Sequence, residues 1–359
     1  MSVKTPTVYD VAAQAGVSIA TVSRVFRQPE AVREATRERV MAAVRELGYV
    51  PSASARGLAG RRTSVLGLLL PGHDDLEPGR SAPVRSGEVA FIDDRAAALT
   101  PTSPNLYFDE LLRGVEVASW RAGYALTVTA GRGMSREMVL SDIAGRVDGL
   151  AVVARTLSDD LVSRTARRLP IVVLAGTGAG GVDHVEVDNR GGMRALSRHV
   201  LQVKPPGPVL YLEGPRQSPD AEARAAGFGE AVDGADEDVH RRPAEFTHEG
   251  GYAATADFLR VRRPGAVVAA NDQSALGALD ALRRVGVRVP TQCVVTGFDG
   301  IDAGRYANPS LTTVRQPMTA LGERAVEVLL RRLGEPELPP CGLQLPVEVL
   351  LRDSCPPAD

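Results

Sequence analysis

From residue 63 onward the chain alternates short apolar runs, rich in β-branched residues, with longer stretches whose apolar residues recur every three or four positions. The runs SVLGLLLP, YALTVTA, GLAVVA, PIVVLA, GPVLYLEGP, GAVVAAND and CVVTGFD have the length and composition of buried strands. Between them, FDELLRGVEVASWRAG, MRALSRHVLQ, EARAAGFGEAV, SALGALDALRRVG and ALGERAVEVLLRRLG have helical spacing. Strands separated by helices return through crossovers, so the sheets are expected to be parallel and covered on both faces. The length of this region predicts two such lobes. Ligands in folds of this kind sit beyond the carboxyl ends of the strands. A site is therefore expected in the loops after Pro71, Ala154, Ala175, Pro215, Asp272 and Asp299.

The first 62 residues have a different character. They hold 10 Lys and Arg against 5 acids, whereas the whole chain has 42 against 44. A basic head on an acidic remainder points to a polyanionic partner. Thr7 stands where it can cap a helix over VYDVAAQA, Gly16 where that helix stops, and Ser18 where it can cap a second helix to about Val25. Val8, Val11, Ala12 and Ala15 share one face of the first helix, and Val22 and Val25 form a matching face on the second. A third helix over AVREATRERVMAAVRELGY presents Val40, Ala43, Val44 and Leu47 and ends at Gly48, before Pro51. The spacing fits a helix-turn-helix, whose second helix enters the major groove of DNA, and fits a plain αα-hairpin in a bundle. The next segment, PSASARGLAGRRTS, carries Leu58 as its one large apolar residue. It reads as a flexible linker or as a segment that folds on a partner, with Leu58 as a minor-groove wedge.

Other chemistries find little support. GTGAGG at 176–181 satisfies the dinucleotide spacing G-x-G-x-x-G, but VDHVEVDNRGG after it reads as an extended segment and a turn, not a helix start facing a pyrophosphate. There is no G-x-S-x-G, H-E-x-x-H or P-loop, and His73, His184, His199, His240 and His248 stand apart. Cys293, Cys341 and Cys355 lack the spacing of a zinc site or a disulfide framework. No enzyme activity, metal or cofactor is expected. MSVKTPTVYDVA lacks the apolar core of a signal peptide, and no apolar run reaches the roughly 18–20 residues that cross a bilayer. A cytoplasmic, nucleoid-associated protein is the expectation.

The order VYDVAAQAGVSIATVSRV, ARGLAGRRT, RAAGF, AANDQSALGALDAL, VTGFDG and PSLTTVRQPMTALGERA resembles the LacI/GalR family of bacterial transcription regulators, from about Thr7 to Leu345. The resemblance implies an α/β fold with a small all-α helix-turn-helix head, residues 1–50, and a hinge helix or linker, residues 51–62. The remainder, 63–359, would be a two-lobed core like periplasmic sugar-binding proteins. Its first lobe would comprise about 63–187 and 314–340, and its second about 188–313 and 341–359. The family works as a homodimer on palindromic operators.

Matched residue by residue, Ser18, Thr21, Ser23 and Tyr49 fall on phosphate-contacting positions, with Thr7 and Thr36 adding backbone contacts. Arg24 falls on a base-reading arginine, whose fork suits two acceptors on guanine. Ile19 and Ala20 occupy the pair that distinguishes operators, and an apolar pair favours thymine methyls. Leu58 falls on the minor-groove lever, with Ala55 one turn earlier. Arg27 replaces a commoner asparagine and could add a phosphate contact. Arg33 replaces a serine that caps the third helix. In the core, Arg224, Asn271 and Asp299 match positions that bind sugar hydroxyls, and Phe246 matches an aromatic that stacks on the effector. Arg155 lies after its strand at the crevice, as an effector ligand or an interlobe salt bridge.

The departure is an insertion. LLLP is followed by GHDDLEPGRSAPVRSGEVAFIDDRAAALTPTSP, so residues 72–104 separate the first core strand from the first core helix. Gly72 replaces an aspartate, and Asn105-Leu106-Tyr107-Phe108 replaces an N-P-F-like turn, which makes Tyr107 and Phe108 candidate effector contacts. The insertion reads as a lid, as a source of ligands (Asp74, Asp75, Asp93, Asp94) or as a disordered excursion. The expected function is a DNA-binding regulator, a repressor by preference, controlled by a sugar or sugar derivative. The alternative is a regulator with no small-molecule effector whose altered cleft takes a protein partner. The ending RDSCPPAD carries no leucine heptads, so a dimer without a tetramerising helix is expected.

Overall fold

The structure, a computed structural model, describes residues 6–27, 29–49, 62–71, 106–129, 135–154, 156–176 and 181–358. The chain divides into two compact units, Met1–Ser64 and Val65–Asp359. Ala55, Leu58, Arg155 and the insertion 72–104 lie outside the described residues.

In the first unit, α1 (Val8–Ala15), α2 (Ile19–Arg27) and α3 (Glu34–Leu47) enclose Val11, Ala12, Ala15, Val22, Val25, Val40 and Ala43. The Asp10 carboxylate accepts both the amide N–H and the hydroxyl of Thr7, at 2.8 and 2.6 Å. Thr7 thus opens α1 through a carboxylate three residues on. Gly16 ends α1 at φ 63°, a left-handed conformation that glycine adopts without Cβ strain, and the Val17 amide returns to Ala12 O at 3.0 Å. The third helix starts later than the periodicity suggested, because a short 3₁₀ turn, Pro29–Ala31, precedes it. Arg33 at its N-cap makes no side-chain capping bond.

The second unit holds two sheets. Its elements are β1 (Val65–Leu69), α4 (Leu106–Arg121), β2 (Ala125–Thr129), α5 (Arg136–Ala144), β3 (Gly149–Val153), α6 (Asp159–Ala166), β4 (Ile171–Leu174) and β5 (Asp183–Val187). There follow α7 (Asn189–Val203), β6 (Val209–Glu213), α8 (Pro219–Val232), β7 (Val239–Pro243), α9 (His248–Leu259), β8 (Ala266–Ala269), α10 (Asp272–Arg284) and β9 (Val294–Asp299). The last are α11 (Asp302–Tyr306), β10 (Thr312–Arg315), α12 (Met318–Gly334), β11 (Gly342–Leu345) and β12 (Glu348–Leu350). Among the described residues the first sheet runs β11-β5-β4-β3-β1-β2, all parallel. The second runs β12-β10-β9-β8-β6-β7, parallel except for β12. The central strands of each sheet are buried on both faces, which explains why they read as continuous apolar runs.

The lobe boundaries differ from expectation at the C-terminal end. Residues 314–340 do not all belong to the first lobe, since β10 lies wholly in the second sheet. Residues 341–359 do not all belong to the second lobe, since β11 pairs with β5 from Gly342–His184 to Leu345–Val187. Two interactions hold β11 there. The Asp183 carboxylate accepts Arg332 Nε–H and Nη2–H at 2.8 and 2.9 Å, and the Cys341 amide at 2.8 Å. Pro346 then interrupts the run, and β12 joins β10 antiparallel in the other lobe.

GTGAGG precedes β5, in keeping with an extended segment there. The turn expected at DNRGG is instead the first turn of α7, with the Asp188 carboxylate accepting the Gly191 amide at 2.8 Å.

Candidate functional site

In the first unit the Ser18 hydroxyl accepts the Thr21 amide at 3.2 Å and lies 2.9 Å from the Thr21 hydroxyl, so Ser18 caps α2 as its position predicts. Ser18, Ile19, Ala20 and Arg24 are exposed, and Thr21 and Ser23 half-exposed, while Val22 and Val25 face inward. Ala20 and Arg24, one turn apart, share the outward face. Thr7 is exposed, and Thr36 and Tyr49 are half-buried, with the Tyr49 ring 6.4 Å from that of Phe26. The side chain of Arg27 is outside the described set. The result is short hydroxyls and a guanidinium presented on one helix whose other side is locked into a core.

In the second unit, charged and aromatic groups meet at the carboxyl ends of strands from both lobes. Arg224, on α8, is 2% exposed. Its Nε–H donates to Asn189 Oδ1 at 2.8 Å, and its Nη1–H groups donate to Ala270 O at 2.7 Å and Asp299 Oδ1 at 3.1 Å. The guanidinium carbon lies 3.9 Å from the Phe298 ring centre and 5.5 Å from that of Phe246. Asp220, one turn before Arg224, stands 4.0 Å away and accepts Asn189 Nδ2–H at 2.9 Å. Gln316 Nε2–H donates to Asp299 Oδ1 at 2.7 Å. Asp299 ends β9 at φ 126°, a region L-residues rarely adopt, so its place is fixed by its partners against backbone strain.

The electrostatics follow from burial. It pushes the Asp299 carboxyl up to about 7 against the opposing pull of Arg224, with neighbouring Asp272 adding to the rise. Burial raises Asp220 to about 6, again against Arg224. Tyr107, at the start of α4 in the first lobe, has its phenol pushed well up by burial and then by the Asp220 and Asp299 charges, with Arg224 opposing. The Tyr107 hydroxyl and Gln316 Oε1 are buried with no hydrogen-bond partner among the described residues.

Phe246 and Asn271 act together. Glu245 and Phe246 both have left-handed backbones, at φ 54° and 62°. Asn271 Nδ2–H donates to Phe246 O at 3.0 Å, and Asn271 Oδ1 caps α10 by accepting the Ser274 amide at 3.0 Å. The ring then lies against Gly214, where any side chain would collide with it.

Of the residues singled out from the sequence, Tyr107, Arg224, Phe246 and Asp299 come together, and Asn271 supports Phe246 from behind. Phe108 instead packs on the apolar core of the first lobe, its ring 5.3 Å from Tyr107 and nearly perpendicular. Sequence reasoning missed Asn189, Asp220, Phe298 and Gln316. Asp220 and Arg224 were readable as an i,i+4 pair after the Ser218–Pro219 helix start. Asn189 and Gln316 carried no local signal beyond their places at strand ends.

Comparison with known proteins identifies relatives of this architecture. Residues 7–52 match bacterial regulatory proteins of the lacI family, and residues 208–355 match the periplasmic binding protein-like domain. The HTH-type transcriptional repressor PurR of Photobacterium profundum is 30% identical over 339 residues, covering 92% of each chain. A lac repressor dimer bound to operator and the anti-inducer ONPF superposes with a TM-score of 0.78 at 25% identity, covering 98% of this chain and 100% of that one. A complex of the transcriptional regulator CelR with cellobiose gives 0.64 at 28% identity, over 97% and 99%.

Proposed function

The chain belongs to the LacI family of DNA-binding transcriptional repressors, and from that premise we propose that it binds a pseudo-palindromic operator as a homodimer, under control of a small polar effector held between the two core lobes. On the DNA side, Ser18, Thr21, Ser23, Thr7, Thr36 and Tyr49 grip phosphates, with Arg27 as a further contact. Arg24 reads a base edge by its fork of N–H donors, and Ile19 and Ala20 set which operator is chosen. Leu58, with Ala55 beside it, wedges into the minor groove at the operator centre. Support comes from the outward presentation of Ser18, Ile19, Ala20 and Arg24 on a helix anchored by Val22 and Val25.

On the effector side, the observation that carries the reading is the Arg224 cluster. It joins Asn189, Asp220, Ala270 and Asp299 in the second lobe, and Tyr107 approaches it from the first. Arg224 and Asp299 offer donors and acceptors to hydroxyls of a ring, and Phe246 offers an apolar face. Because Tyr107 and Asp299 belong to different lobes, a molecule bonded to both favours one interlobe angle. That angle governs whether the two hinge segments of a dimer can pair on DNA. The solved relative bound to cellobiose is consistent with a saccharide-like ligand.

The test titrates sugars into the full chain bound to its operator, in wild type and Arg224→Ala. The expected result is an effector-dependent change in operator affinity that Arg224→Ala abolishes. Unchanged affinity across a broad panel would favour the alternative, a regulator whose cleft serves a protein partner.

A further inference from the structure

We propose that the effector of this cleft is a cation: a hydroxylated ring bearing a protonated nitrogen, whose charge offsets the acidic excess of the described residues of the interlobe cluster. This rests on the effector reading and narrows it. Among the described residues that bear on one another here, Arg224 is the buried cation, and it faces two buried carboxylates, Asp299 at 3.1 Å and Asp220 at 4.0 Å. Glu186 adds a further negative charge beside Asp220. One turn along α4 from Tyr107, burial and then the charge of Asp302 in the second lobe raise the Glu110 carboxyl. Acidic groups thus come from both lobes.

The hydrogen-bond inventory points the same way. Gln316 donates to Asp299, which leaves its buried Oε1 as an acceptor with no partner among the described residues. The Tyr107 hydroxyl is in the same position. A neutral polyol brings donors but leaves the excess carboxylate to be met by a proton, and an anion adds to the excess. A protonated nitrogen brings both the charge and several donors.

The raised carboxyls of Asp220 and Asp299 agree with this, because the cluster takes up a proton near neutrality where a cation would otherwise sit. The groups facing it are Arg224, Glu186, Tyr107 and Asp272. Asp272 is already held by the Gly300 and Ile301 amides and the Thr313 hydroxyl.

The test uses the full chain with matched probes: glucosamine, galactosamine and mannosamine, the corresponding hexoses and hexuronates, and ribose and cellobiose. Thermal unfolding and release from an operator duplex are followed at pH 5.5 and 7. At least one amino sugar should half-saturate at a concentration tenfold or more below its hexose, and bind more tightly at pH 7 than at 5.5. Asp220→Asn should erase most of that advantage and Asp220→Glu should keep it. Equal or tighter binding of a hexose, a hexuronate, ribose or cellobiose overturns the cation assignment while leaving the effector reading intact. No response to any probe in unfolding overturns the assignment, and operator release by the neutral sugars judges the effector reading on its own.

Discussion

Arg224 donates to Asp299 at 3.1 Å in a setting where both side chains are more than nine-tenths buried, and Asp299 holds a strained backbone to meet it. Removing one partner of a buried ion pair leaves an uncompensated charge, which costs about 3–5 kcal/mol. Arg224→Ala is therefore expected to destabilise the core by an amount in that range at pH 8. The loss should shrink at pH 5, where Asp220 and Asp299 are protonated and need no counter-charge. Urea unfolding at the two pH values measures the difference.

Asp220 gives a second pH signature. Its carboxyl is raised from the unfolded value of about 4 to about 6, so the folded state favours the protonated form. That contribution is fully present below the unfolded value and is lost as pH rises through the folded one. Asp220→Asn should leave stability near its wild-type value at pH 4 and gain about 2 kcal/mol relative to wild type by pH 7.5. A gain that does not vary between those pH values would place the raised carboxyl elsewhere.

Asn271 is expected to act through Phe246 as well as through α10. Asn271→Ala removes the cap, at about 1 kcal/mol, and also frees the Phe246 carbonyl. Asn271→Asp keeps the acceptor for Ser274 and loses the donor to Phe246. It should therefore retain most of the stability while weakening effector response, as unfolding and operator-release measurements can separate.

In the head, Arg24→Ala should cost about 1–3 kcal/mol of specific operator binding and relax selectivity at one base pair. Ser18→Ala removes the cap on Thr21 and the proposed phosphate contact, so specific and non-specific duplexes should weaken together, with about 1 kcal/mol lost from the head's stability. Competition between operator and scrambled duplexes distinguishes the two behaviours.

The parts of this molecule legible in its sequence are those whose signal is local. Gly16 and Ser18 mark the turn between α1 and α2, and the valines at 11, 22, 25 and 40 mark the head's core. Fully buried strands such as Gly149–Val153 announce themselves by composition. The edge strand Val239–Pro243 does not, because most of its residues face solvent and its pattern is polar. The stretch from Gly342 to Leu350 passes from one lobe to the other with little local mark in the sequence. β11 and β12 have similar local patterns, and what separates them is Asp183, distant in sequence, together with a proline between them.

The site divides in the same way. Arg224 and Asp299 were legible through family likeness, while Asn189 and Gln316 became visible only when folding placed them against those two groups. Asn271, matched to an effector ligand by family likeness, also bonds to Ser274 and Phe246, and those two bonds had no signal in the sequence.

Two copies of this chain are expected to read a symmetric DNA site. Selection of duplexes from a random pool by the full-length protein tests it most directly. The expected result is enrichment of inverted half-sites centred about one helical turn, roughly 10 base pairs, apart, with affinity that falls steeply as salt rises. Enrichment of a lone half-site, of direct repeats or of no sequence at all would contradict the account.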